Sequence, residues 1–230
     1  MGNEESENLC RGFGLIEHVN KSIVCHSNGP QNRRRRVALA GHKGDAEFAR
    51  RGLADSDAAV RVAALGALAR LGALRTADVE DALGDDAPAV RRRAVASALT
   101  VRGAGTRSTL PHAVTGALDD GDPLVVVDAA WFLGERRTLS AVPVLAATAT
   151  RHGDARCREA AVAALGAIGD VTGLPAVLDA LDDVATVRRR ATVALAGFDD
   201  PRVTPALRAA AEDRDWQVRQ AAGELLGDPS

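Results

Sequence analysis

The sequence predicts an all-α fold, a right-handed α-solenoid (an α-α superhelix) of about six helical hairpins. Three observations carry that reading. The composition is 46 Ala against six aromatics (2 Trp, 4 Phe and no Tyr) in 230 residues. Strands favour β-branched and aromatic side chains, whereas Ala has the best helix propensity and lets helix axes approach closely. A segment recurs about every 31 residues from position 32 onward, which is one helical hairpin per repeat. Within a copy the apolar residues fall at positions 1, 4, 5, 8, 9 and 12, as in Val60, Ala63, Ala64, Ala67, Leu68 and Leu71. That is helical spacing with a broad apolar face.

The elements follow in order. A half-repeat opens the array at 32–41 (NRRRRVALAG), whose VALAG recurs at 193–197. A first helix of each hairpin, A, is predicted at Asp45–Ala54, Thr76–Leu83, Arg107–Leu118, Ala141–Thr150, Gly173–Leu181 and Val203–Ala211. Pro111, Pro143, Pro175 and Pro205 stand near the start of four of these, where a missing N–H does little harm. The second helix, B, is predicted at 60–72, 90–99, 125–134, 157–169, 187–197 and 218–227. Asp57, Asp86, Asp122, Asp154, Asp183 and Asp215 precede the B helices as N-caps. Gly41, Gly72, Gly103, Gly134, Gly169, Gly197 and Gly227 follow them as left-handed stops. Leu39, Leu68, Leu99, Leu133, Leu165, Leu195 and Leu226 are the matching core anchors.

Composition also draws a boundary. The first Ala is Ala38, and all five Asn lie before position 33. Residues 1–29 therefore read as a separate, poorly ordered tail, because one short apolar segment (13–24) cannot offset chain entropy alone. Residues 30–230 read as the solenoid. The acidic start, MGNEESEN, lacks the basic region and apolar run of a secretory signal. No uncharged run approaches the ~18–20 residues that span a bilayer. Three Cys in a long chain do not make a disulfide framework. A cytoplasmic protein follows, and 27 Arg against 2 Lys with abundant Ala suggests a GC-rich bacterial gene. The formal net charge of −2 argues against bulk nucleic-acid binding.

The units resemble HEAT repeats of the short, phycobilin-lyase (PBS-lyase) type, whose pattern is D-x-x-V-R-x-x-A-A-x-A-L-G. Asp57-x-x-Val60-Arg61, Asp154-x-x-Cys157-Arg158 and Asp215-x-x-Val218-Arg219 carry it, and Asp86/Arg91 and Asp183/Arg188 fit with one extra residue. The resemblance covers about 33–228. It implies an Asp–Arg ladder between repeats through Asp57, Arg61, Asp154, Arg158, Asp215 and Arg219. Val126 replaces the Arg in one repeat, leaving Asp122 as an acid without a ladder partner. The resemblance identifies a fold and no single function, since such repeats serve scaffolds, lyases and hydroxylases.

Chemistry-bearing constellations are few. Arg33–Arg36, Arg91–Arg93 and Arg188–Arg190 are either an anion-binding surface or, as nearby acids favour, one ladder Arg plus solvated neighbours. Phe132 reads as core, while Trp131 stands either in the core or on the B-helix face, where an exposed Trp anchors partners. Trp216 reads as a cover for the end of the stack. None of the five His is followed by Glu, so the His-Glu iron ligands of HEAT-type deoxyhypusine hydroxylases are not carried over. Cys10, His18, Cys25 and His26 fit no usual zinc spacing, and Cys157 reads as a buried thiol. No catalytic motif, metal set or cofactor site is expected. The expected role is a non-catalytic scaffold that binds a protein or peptide on its concave B-helix face through Trp131, Glu135, Arg92, Arg158, Arg189 and Arg219. A lyase or lyase-chaperone subunit and a nucleic-acid-backbone binder are the alternatives.

Overall fold

The computed structural model describes residues 29–101 and 109–227, and every regular element among them is helical. The expected tail up to residue 28, with Cys10, His18, Cys25 and His26, lies outside the described residues, as do Gly103 and the expected helix start at Arg107. The fold is an α-solenoid of B helices alternating with A helices. Contacts divide the chain into two compact units, Met1–Ala73 and Leu74–Ser230.

Among its described residues the first unit holds three α-helices. The half-repeat is a full B-type helix, α1 (Pro30–Lys43), followed by the A helix α2 (Ala46–Arg51, extended by a 3-10 turn to Ala54) and the B helix α3 (Ala58–Arg70). Val37, Val60 and Ala64 form its core, with Phe48, Leu53 and Ala63 packed against them. The register of α1 is one residue later than the leucine alignment expects. Ala40 is buried while Leu39 is exposed, because Arg33 takes the place of Arg61 and its inter-repeat contact fixes the helix rotation.

The second unit repeats this scheme. Its A helices are α4 (Thr76–Leu83), α6 (Leu110–Gly116), α8 (Val142–Arg151), α10 (Leu174–Asp179) and α12 (Val203–Ala210). Its B helices are α5 (Pro88–Ala98), α7 (Pro123–Glu135), α9 (Ala155–Ile168), α11 (Ala185–Ala194) and α13 (Trp216–Leu226). Each B helix packs on the next, α5 on α7 and so on to α13. Position 1 is buried throughout (Val90, Val125, Cys157, Val187 and Val218), and so is the position-5 Ala of every B helix. Position 4 is core only in α13, at Ala221; elsewhere Arg93, Asp128, Ala160 and Arg190 occupy it and reach the surface.

The caps divide into two kinds. Asp57, Asp122, Asp154 and Asp215 accept first-turn backbone N–H groups, as expected of N-caps. Asp86 and Asp183 do not, because the extra residue in those repeats puts Ala87 and Val184 at the N-cap. Gly72, Gly169 and Gly227 are left-handed, at φ 63°, 74° and 79°. Gly41, Gly134 and Gly197 are not, and close packing explains them instead. A Cβ on Gly134 would lie 3.0 Å from the Ala164 Cα, and one on Gly41 would lie 2.8 Å from the Ala67 Cα.

With Gly134 used for packing, the left-handed residue after α7 is Arg137, at φ 45°. Its N–H reaches Gly134 O, and Thr138 N–H reaches Leu133 O. A side chain in this region costs about 1 kcal/mol. Arg137→Gly is therefore expected to raise stability by up to about 1 kcal/mol. A urea titration checks it, and a lower midpoint would contradict the strain.

Candidate functional site

Arginines at position 2 stitch consecutive repeats on one side. Arg33, Arg91, Arg158 and Arg188 each donate two parallel hydrogen bonds to an Asp of the next repeat: Asp55, Asp120, Asp183 and Asp213. The Nε bonds are 2.6–2.8 Å. A third N–H of Arg91, Arg158 and Arg188 turns back to a carbonyl ahead of its own helix, on Asp85, His152 and Asp183. Arg61 and Arg219 make the same return bond, to Asp55 and Asp213. Planar forks of this kind suit guanidinium–carboxylate pairing. The hydrogen bonds from arginine hold Asp55, Asp120, Asp183 and Asp213 below the usual carboxylate range.

The ladder acids are thus not the expected Asp57, Asp154 and Asp215. Those three spend their oxygens on their own helix starts, and Asp154 also on Arg156, which with the helix N–H lowers its pKa to about 2. In most repeats the acceptor lies two residues earlier, where it also takes the N–H of the capping residue (Asp57 to Asp55, Asp122 to Asp120, Asp215 to Asp213). Asp120 has Arg91, so the repeat carrying Val126 is not short of an acid partner on that side. The gap falls one repeat later. Val126 is fully buried, and the acceptor place holds His152, whose Nδ1 takes the Asp154 N–H. Arginine and acid are replaced together at that junction.

The B-helix face carries a second set of rungs, between position 3 of one helix and position 4 of the next. Arg92 pairs with Asp128 at 2.9 Å, and Glu159 pairs with Arg190 at 3.3 Å. The places between them are Val127 and Ala160, which line a groove with a volume of about 500 Å³. One wall is the α7 stripe of Leu124, Val127 and Trp131, closed by Glu135. The other is the alanine face of α9: Ala160, Ala163, Ala164 and Ala167. Arg156, Glu159 and Arg190 stand at its rim.

The groove arises because one helix carries a large residue where its neighbour carries Ala. Phe132 is fully buried, while Trp131, one position before it, is 52% exposed. Of the six expected partner residues, only Trp131 and Glu135 line this groove. Arg189 lines a smaller adjoining recess with Thr186, Val193 and Gln217. Arg92 is tied to Asp128, Arg158 belongs to the ladder, and Arg219 holds the turn carbonyls of Asp213 and Arg214. Leu124, Val127, Arg156 and Glu159 escaped the sequence reading, and Arg190 entered it only as part of an arginine triplet. Opposite charges one period apart at positions 3 and 4 were the available signal. Trp216 does not cover the stack end: it lies in the first turn of α13, pointing off the core stripe, and is 61% exposed.

Cys157 is buried, donates to Pro123 O at 3.3 Å, and has its thiol pushed up to about 11 by burial. Among the described residues no group of His, Cys, Asp or Glu is placed to hold a metal ion, and no helix is long and apolar enough to cross a membrane.

A sequence profile of HEAT repeats matches residues 110–196 and 185–229. No curated protein matches the chain. Many solved structures share its fold, among them the following. The complex of CpcE and CpcF of phycocyanin lyase from Nostoc sp. PCC7120 is 24% identical over 80% of this chain and 75% of that one, with a TM-score of 0.56. YibA of Escherichia coli is 17% identical over 88% and 78%, with a TM-score of 0.67. A designed armadillo repeat protein is 16% identical over 78% and 98%, with a TM-score of 0.50.

Proposed function

The chain belongs to the HEAT-repeat family, and from that premise we propose that it is a non-catalytic interaction protein of the cytoplasm, holding a protein or peptide in the groove beside Trp131. The observation that carries the proposal is the half-exposed indole facing a wall of alanines. A soluble surface rarely leaves a Trp at a concave apolar site without a use, and such residues dominate binding energy at interfaces. The charged rungs on either side supply a polar rim.

A second reading, a lyase or lyase-chaperone subunit, is supported by the likeness to the phycocyanin lyase complex. That likeness is one of fold. A bilin-bearing protein as the captured partner would favour it.

The test is affinity capture by the full chain compared with Trp131→Ala. Trp131 is half-exposed and lies outside the buried core, so the variant is expected to fold normally. Truncating an anchoring Trp costs about 2 kcal/mol or more, roughly 30-fold in affinity. Partners retained at full strength would remove Trp131 as the anchor.

A further inference from the structure

The net charge of −2 hides a partition. The first unit, Met1–Ala73, holds 11 basic and eight acidic residues in the sequence, a formal +3. The second, Leu74–Ser230, holds 18 basic and 23 acidic, a formal −5. A chain of near-zero total charge therefore contains one basic module.

Four of its arginines, Arg33–Arg36, run consecutively through the first half of α1. Arg33 faces inward to Asp55. Arg34, Arg35 and Arg36 follow at successive steps of about 100° round the helix. All three are exposed, so they point to three sides of it. Arg36 and Arg51 both lie over the Phe48 ring, at 5.3 and 5.5 Å from its centroid. One ring thus carries two guanidinium groups. No ion pair to an acid is present at Arg34, Arg35, Arg36 or Arg51 among the described residues. The first turn of α1 carries no acidic residue either. The triplets of the second unit differ: Arg91 and Arg188 are forked to Asp, while Arg92 and Arg190 are paired.

We propose that the first unit binds the phosphate backbone of duplex nucleic acid through Arg34, Arg35, Arg36 and Arg51. A duplex presents phosphates in two rows flanking a groove, which a ridge with arginines on several sides can touch together. A flat anionic membrane meets only one side of such a ridge. The site binds without reading sequence, because its contacts are charges directed at phosphate.

The test is fluorescence anisotropy of the full chain with a labelled 20-base-pair DNA of arbitrary sequence, from 50 to 200 mM salt. Binding is expected to weaken steeply with salt. Arg34→Ala/Arg35→Ala/Arg36→Ala is expected to weaken binding at least tenfold at 50 mM and to lower the logarithmic salt slope by about 3. Removing these charges from the start of α1 does not endanger the helix, and circular dichroism confirms folding. Arg189→Ala/Arg190→Ala and Trp131→Ala are expected to bind DNA as the parent does. No binding at 50 mM salt overturns the proposal. So does a triple variant that binds like the parent, or stronger binding to phosphatidylglycerol vesicles or poly-glutamate than to DNA.

Discussion

Gly166→Leu is expected to destabilise the protein by about 3 kcal/mol or more, the upper range for overpacking. Even the first carbon of the new side chain would lie 2.7 Å from both Cα and Cβ of Ala194 and 2.9 Å from its carbonyl oxygen. These are atoms of the neighbouring helix backbone and its shortest side chain, so no rotamer change relieves the clash. The two B helices must separate, and the loss is a large part of a typical 5–15 kcal/mol of total stability. Repeats couple mainly to their neighbours, so hydrogen exchange should show the loss over α9 to α13. Gly121 has open space around its Cβ position, and Gly121→Ala is the matching control. An unchanged urea midpoint for Gly166→Leu would mean that the close approach does not govern the spacing.

Asp213→Asn is expected to cost about 3 kcal/mol, because it strands Arg188, whose side chain is only 5% exposed, without its carboxylate. The same pair has a pH signature. Asp213, like Asp55, Asp120 and Asp183, has a pKa held below its unfolded value, first by hydrogen bonds from its arginine. A depressed carboxylate contributes stability that is complete above the unfolded pKa of about 3.9 and is lost as pH falls through the folded pKa. The urea midpoint should therefore hold from pH 8 to 5 and fall below about 4. The fall should be shallower in Asp213→Asn, which has one ladder carboxylate fewer. A parallel fall in both proteins would remove this pair from the acid response.

The period, the two helices of each hairpin and the capping role of Asp57, Asp122, Asp154 and Asp215 were legible in the sequence, because each rests on local spacing. The ladder acids were not. Asp55 and Asp57 occupy the same turn, and only the direction of each carboxylate separates a cap from a fork acceptor. The glycines were ambiguous for a similar reason. A left-handed stop and a close helix approach both exclude a Cβ, and they ask for Gly within three residues of each other, as at Gly166 and Gly169. Trp131 stood out because it breaks a rule that the other repeats keep. Its neighbours Leu124 and Val127 did not, since an apolar residue on an amphipathic helix raises no question until its exposure is known.

The junction of Val126 and His152 has a thermal character of its own. Around it, repeats are joined by guanidinium forks, whose desolvation penalty shrinks on heating. Between α7 and α9 no fork is present and the contact is mainly apolar, and apolar association weakens on cooling. The groove beside Trp131 is seated over that seam. Its walls are therefore held by the part of the stack that loosens in the cold.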